Sequence, residues 1–218
     1  VVVFASNSSL CGGFNANVIR HLNEVVAEYE PKVGRENILI YPVGRKVADA
    51  VKKMEGLTAA GDYQHMSGKP NYQEAADLAA ELMTRFASGE IQQVELLYNH
   101  FKSTSTQVLT RETYLPLDLS AGHTDEKGEE QEAMQADYLI EPSPEQVMEE
   151  LLPKVLRMKM YTVLLDSTAS EHAARTMAMQ IATDNANDLI QELTLIYNKS
   201  RQQAITNELL DIVGGSMS

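Results

Sequence analysis

The sequence predicts an α/β fold: a mostly parallel, Rossmann-like sheet with flanking helices, followed by one very long C-terminal helix that is half of an antiparallel coiled coil. Three observations carry this. Apolar runs that read as strands alternate with segments of helical period through the first half of the chain. Two long strand-like runs then follow each other across a short polar link. After Pro144, up to about Asp211, there is one further proline, Pro153, and no glycine, while apolar or small residues return at helical spacing.

Taken in order, Val1 to Ala5 is a hydrophobic run that reads as a central strand, and Asn15 to Glu30 a helix with Val18, Ile19, Leu22, Val25 and Val26 on its inner face. Ile38 to Pro42 is the next strand and Gly44 to Lys53 a short helix. Tyr72 to about Ser88 is a helix burying Ala75, Ala76, Leu78, Ala79, Leu82, Met83 and Phe86, closed by Gly89. Val94 to Ser103 and Gln107 to Pro116 form a strand pair joined by Thr104-Ser105-Thr106, the antiparallel edge of the parallel sheet. From Asp118 to Ala136 the chain turns polar and acidic, with Asp125, Glu126, Glu129, Glu130 and Glu132 close together. Such a run buries too little apolar area to order itself and reads as a mobile loop. Asp137 to Glu141 reads as a last edge strand. The organisation is thus a globular α/β domain over 1–142 and a coiled-coil helix over 143–213, with a kink expected near Pro153.

The long helix has marked ends. Ser143 caps it, Pro144 suits the first helical position and Gln146 stands where a capping box places its acceptor; Gly214 and Gly215 are expected to end it. Met158, Tyr161, Leu165, Met179, Ala182, Ala186, Leu189, Leu193, Ile196 and Ser200 follow alternating three- and four-residue steps, the seam of a coiled coil. At about 1.5 Å per residue, some 60 residues make a rod of roughly 90 Å. About ten seam side chains, each worth up to roughly 1.5–3 kcal/mol on burial, rival the net stability of a domain, so the stripe calls for a partner. Nothing else in these residues offers a helix of that length. Because the chain also opens without methionine inside a hydrophobic run, it reads as a fragment whose N-terminal part supplied the second helix. Self-association through the exposed seam is a further expectation.

Composition narrows the function classes. A formal charge of −13 over 218 residues argues against direct binding to nucleic acid or anionic lipid. One cysteine excludes an intrachain disulfide and fits a reducing compartment. No apolar run approaches the roughly 20 residues that span a bilayer, so membrane association must come through partners. The glycines of Cys11-Gly12-Gly13-Phe14-Asn15 could cradle a phosphate at a helix start, but neither the three-glycine dinucleotide fingerprint nor a Gly-Lys-Ser/Thr ending is present, which favours a tight strand-to-helix turn. Cys11 as a nucleophile would need a base, and His21, His65, His100, His123 and His172 are scattered. The acidic cluster lacks the alternation of a calcium loop, and Asp184 with Asp188 reads as solvated or partner-facing polarity on a rod. No catalytic residue, cofactor or metal site is assigned.

Several segments carry a resemblance. Ala169-Ser170-Glu171-His172-Ala173-Ala174-Arg175, Ala178-Met179, Ala182-Thr183-Asp184-Asn185-Ala186 and Tyr197-Asn198-Lys199, with Arg201-Gln202, Ala204-Ile205-Thr206, Glu208 and Ile212-Val213, resemble the C-terminal helix of the gamma subunit of rotary F-type ATP synthases. Leu10-Cys11-Gly12-Gly13-Phe14-Asn15 resembles that family's loop after its first strand, and Asp137-Tyr138-Leu139, Glu141-Pro142 and Leu151-Leu152-Pro153 fit in family order. The chain departs where the family has Ser/Thr-Asp-Arg/Lys-Gly, reading Ser6-Asn7-Ser8-Ser9, and Ser216 stands where alanine is usual.

The resemblance implies a noncatalytic central rotor shaft that couples proton-driven ring rotation to conformational change at catalytic sites. It also implies partners: the alpha and beta subunits of the catalytic hexamer, the epsilon subunit and the membrane c-ring, at the cytoplasmic face of a bacterial inner membrane. Arg201, Gln202, Thr206 and Glu208 correspond to the segment touching catch loops of the catalytic subunits, and Arg175 to a lower contact. Leu209, Leu210, Ile212 and Val213 correspond to the tip in the hydrophobic collar. Tyr138 and Glu141 correspond to the foot that meets epsilon or the ring. Without the family's N-terminal helix, the fragment is not expected to couple rotation unaided. A nucleotide-binding α/β enzyme and a coiled-coil adaptor are the alternatives of other classes.

Overall fold

The structure is a computed structural model that describes residues 1–117 and 141–216. Nine elements are labelled here: β1 (Val2–Phe4), α1 (Phe14–Val33), β2 (Leu39–Val43), α2 (Arg45–Val51), β3 (Thr58–Ala59), α3 (Tyr72–Ala87), β4 (Val94–Ser103), β5 (Thr106–Leu115) and α4 (Pro144–Ser216). The sheet runs β3-β2-β1-β4-β5, parallel except for the antiparallel β4-β5 edge. This is the predicted architecture, with one strand added. β3 is two exposed residues, too short for any periodicity to announce it. The link between β4 and β5 is also tighter than expected, because Thr106 already pairs with Ser103. The expected strand from Asp137 and the acidic loop lie outside the described residues.

Alternation along the strands sorts the core into two layers. Val2, Phe4, Leu96 and Tyr98 point to one face, where α3 and the lower part of α4 cover them with Leu78, Leu82, Leu156, Met160 and Leu164. Val3, Ala5, Ile40 and Leu97 point to the other, under Val18, Leu22 and Val26 of α1 and Val47 of α2. The inner faces read from α1 and α3 hold except at Ile19, Met83 and Phe86, which are only half-buried. Helix α1 also runs three residues past Glu30, through Pro31.

A buried carboxylate crosslinks α1 to the sheet edge. Glu95 of β4 receives two bonds from Arg111 of β5, at 2.9 and 3.0 Å, and a third from Tyr29 of α1 at 2.8 Å. Arg111 also reaches Glu28 at 2.6 Å. The charge of Glu95 is thus paired and fully bonded, which is the condition for leaving water. The hydrogen bond from Arg111, then that from Lys32, lowers the Glu28 pKa from the usual 4.5 to about 2. Its folded value is depressed, so Glu28 supports the fold above pH 4.5 and loses that contribution as pH falls towards 2. The difference in thermal midpoint between the wild-type chain and Glu28→Gln is expected to narrow as pH drops from about 6 to about 3. A constant difference would show that the pair does not couple to folding.

Helix α4 spans 73 residues without interruption, across Pro153 and through both Gly214 and Gly215. The expected glycine stop is therefore corrected: the described helix ends at Ser216. Its Ser143 cap is as read, with the Gln146 backbone N–H donating to Ser143 Oγ at 3.2 Å. Seventy-three residues at about 1.5 Å each make a rod of roughly 110 Å.

Candidate functional site

The site is α4 itself, and its two halves differ. From Leu156 to Ala173 one face is buried on the domain: Leu156, Met160, Val163, Leu164, Ser167, Ser170 and Ala173. At about 100° per residue, Met158 and Leu165 lie across the helix from these positions, and they are exposed. The lower part of the predicted seam therefore faces away from the sheet, while a second face, hidden among polar letters, docks. Tyr161, on the margin, meets Tyr72 edge-on with ring centroids 5.6 Å apart.

Polar ties line the docked face. Tyr114 donates its hydroxyl to the Leu156 carbonyl at 2.8 Å, and Lys159 pairs with Glu112 at 3.0 Å. One Asp166 oxygen accepts from the Phe101 backbone N–H at 2.8 Å; the other lies 2.6 Å from His100 Nδ1. The Ser170 hydroxyl donates to the Asn99 carbonyl at 2.8 Å. Burial holds the Tyr114 hydroxyl in its neutral, donating form, pushing its pKa above the usual 10. None of these residues stands out in the sequence, since a polar residue on a helix ordinarily faces water and its strand partner is some 42–71 positions away.

The sequence-predicted contact residues separate into two places. Arg175 sits at the top of the docked region, bonded to Glu171 at 2.6 Å and to the Ser9 carbonyl. It holds down the Ser6–Ser9 loop, the stretch that departs from the family pattern. Arg201, Gln202, Thr206 and Glu208 are exposed on the free part of the rod, where Thr206 turns its hydroxyl back to the Gln202 carbonyl at 2.9 Å. Leu209, Leu210, Ile212 and Val213 are exposed at the tip. Glu141 is exposed just before α4, and Tyr138 lies outside the described residues. The seam residues Met179, Leu189, Leu193 and Ile196 each keep about half of their surface in water, 49–56%, a continuous apolar stripe larger than folded domains ordinarily leave uncovered.

The glycine turn forms the wall of a groove of about 320 Å³ whose lining, from Cys11 through Asn99 and Gln107 to Met177, includes no charged side chain. Cys11 is buried, and its sulfur accepts from Asn15 Nδ2 at 3.1 Å. Asn15 also bonds Ser6, so the motif ties its own turn together. Among the described residues there is no group of three or more His, Cys, Asp or Glu able to hold a metal ion. No described helix is long and apolar enough to cross a membrane.

A family model described as ATP synthase matches residues 1–218. The chain is 70% identical to the ATP synthase gamma chain of Phocaeicola vulgatus, covering all of this chain and 73% of that one. It is 56% identical to the gamma chain of Bacteroides thetaiotaomicron, covering 100% of this chain and 74% of that one. Among solved structures, a chain of the Euglena gracilis mitochondrial ATP synthase (OSCP/F1/c-ring, rotational state 3) superposes with a TM-score of 0.63 at 25% identity, covering 99% of this chain and 71% of that one. A chain of the Tetrahymena thermophila mitochondrial central stalk and c-ring shares the fold, with a TM-score of 0.55 at 22% identity over 84% of this chain and 75% of that one.

Proposed function

Because this chain belongs to the ATP synthase gamma-chain family, and so is a rotor-shaft subunit of that membrane-associated complex, we propose that its two halves divide the work of coupling. The globular α/β domain over 1–142 is the foot that takes up rotation from the c-ring and meets the epsilon subunit, through Tyr138 and Glu141. The helix over 143–213 is one strand of an antiparallel coiled coil that turns inside the hexamer of alpha and beta subunits. The chain itself is noncatalytic; the chemistry belongs to the hexamer. In a bacterial cell the complex would stand at the cytoplasmic face of the inner membrane.

The single observation that carries this reading is the change along α4, from a helix docked on the domain up to the groove residues Met177, Ala178 and Ile181 to one exposed beyond them with its apolar stripe intact. A lone rod of this kind presents different side chains in different directions. Placed at the centre of three otherwise equivalent sites, it favours a different conformation at each, and its rotation exchanges those preferences. Arg201, Gln202, Thr206 and Glu208 are the residues assigned to that contact, with Arg175 below them.

The experiment is made in the complete subunit, co-purified with its hexamer, epsilon subunit and ring. Arg201→Ala is expected to lower proton-driven ATP synthesis on the order of tenfold, the effect of truncating an interface hot spot, while leaving the thermal midpoint unchanged because the side chain is exposed. Unaltered synthesis would remove Arg201 from the contact. Failure of the complete chain to co-purify with the hexamer would overturn the whole assignment.

A further inference from the structure

A rotor must pass torque from its foot to its shaft, and apolar packing alone resists that poorly, since packed helices slide past one another by small shear steps. Here the docked apolar strip of α4 is bracketed by polar ties on both edges. At about 100° per residue, Lys159, Asp166 and Ser170 fall along one edge of the strip, and Glu171 and Arg175 along the other. The first edge holds β4 and β5; the second holds the loop after β1. Rolling the helix either way on the sheet therefore stretches one set.

The ties also share a construction. Asp166 bonds the backbone N–H of Phe101, Ser170 the backbone carbonyl of Asn99, Tyr114 the backbone carbonyl of Leu156, and Arg175 the backbone carbonyl of Ser9. A backbone partner cannot swing away as the end of a long side chain does. Asp166 occupies a special place, because β4 and β5 slip register between Phe101 and Ser103, and its two oxygens hold the chain there, one on the amide and one on His100. Charged acceptors make about the strongest hydrogen bonds available to such a joint. The ties extend from Leu156 to Arg175, roughly 28 Å along the helix axis.

We propose that Asp166, Ser170 and Arg175 are positioning residues that form a polar clutch between the globular domain and the shaft, so that torque crosses at these three points. This rests on the rotor reading above. In the complete synthase, the Asp166→Ala/Ser170→Ala variant is expected to hydrolyse ATP at the wild-type rate while the protons pumped per ATP fall by about threefold, within the range for residues that carry coupling. The Phe101 amide is expected to exchange with deuterium faster, and Asp166→Asn, which keeps an acceptor for that amide, to restore most of the pumping. Wild-type pumping by the double variant would overturn the clutch, even with a lowered thermal midpoint, since a merely structural role predicts that combination. Should the double variant not assemble, Ser170→Ala alone carries the same comparison with a smaller loss. A wild-type complex that hydrolyses but does not pump would instead sink the rotor reading, so the two failures are distinguishable.

Discussion

A chain ending at Thr183 is expected to unfold within about 2 °C of the 218-residue chain, the shift that a change of about 0.5 kcal/mol produces in a protein of this size. The same truncation in the complete complex is expected to abolish proton-driven ATP synthesis. The two outcomes follow from one feature: from Asp184 to Val213 no residue is buried. Removing the segment takes no side chain out of the core, and the docked face of α4 from Leu156 to Ala173 remains. What is lost is the free rod with Leu189, Leu193, Ile196 and the apolar tip, along with the Arg201–Glu208 contact segment. Thermal unfolding by circular dichroism checks the first half, and it should show a proportionate loss of helical signal. Synthesis by reconstituted proteoliposomes checks the second. A fall in midpoint beyond about 5 °C would mean that the upper rod supports the domain, contrary to its exposure.

The strands and helices were legible where burial imposes a period. The Val1–Ala5 run, the inner faces of α1 and α3 and the paired runs of β4 and β5 all carry repeated apolar residues, and their order gave both the parallel sheet and its antiparallel edge. The elements missed are those in which burial imposes nothing, such as the two exposed residues of β3 or the single turns at Arg35–Asn37 and Gln64–Ser67. The end of α4 was misplaced for a related reason. Glycine weakens a helix by about 1 kcal/mol relative to alanine, which disfavours continuation without forbidding it. The long helix is plain as a helix, yet its docking face is not, because the apolar positions of its lower half encircle it and Ser167, Ser170 and Asp166 look like solvent-facing letters. The partners of Ser170 and Asp166 lie on β4, and only the tertiary structure brings them within reach. Arg175 shows the complementary case. Resemblance pointed to it as a contact outwards, and the structure gives it partners inside the chain, Glu171 and the Ser9 carbonyl.

Gly44→Ala is expected to be the most damaging single methyl group in the domain. Gly44 follows β2 with φ +109°, and a Cβ there would lie 2.0 Å from the Ala5 carbonyl oxygen. That oxygen cannot retreat. Ala5 is fixed by its own N–H bond to the Val43 carbonyl at 2.8 Å, its carbonyl receives the buried Ser67 hydroxyl at 2.8 Å, and Lys46 N–H bonds the next carbonyl, Ser6, at 3.1 Å. To admit the methyl group, β1 and β2 must part at the centre of the sheet. Backbone strain of about 1–3 kcal/mol adds to an overpacking cost of similar size, so the loss is expected to exceed about 3 kcal/mol, a large share of a domain's 5–15 kcal/mol. A comparison isolates the cause. Gly89 has φ +76° with nothing within 4 Å of an added Cβ, so Gly89→Ala meets only the left-handed backbone penalty, about 1–2 kcal/mol. Urea midpoints of the two variants are therefore expected to separate clearly, with Gly44→Ala the lower or not folding at all. Equal midpoints would mean that the turn between β2 and α2 yields where the geometry says it is held.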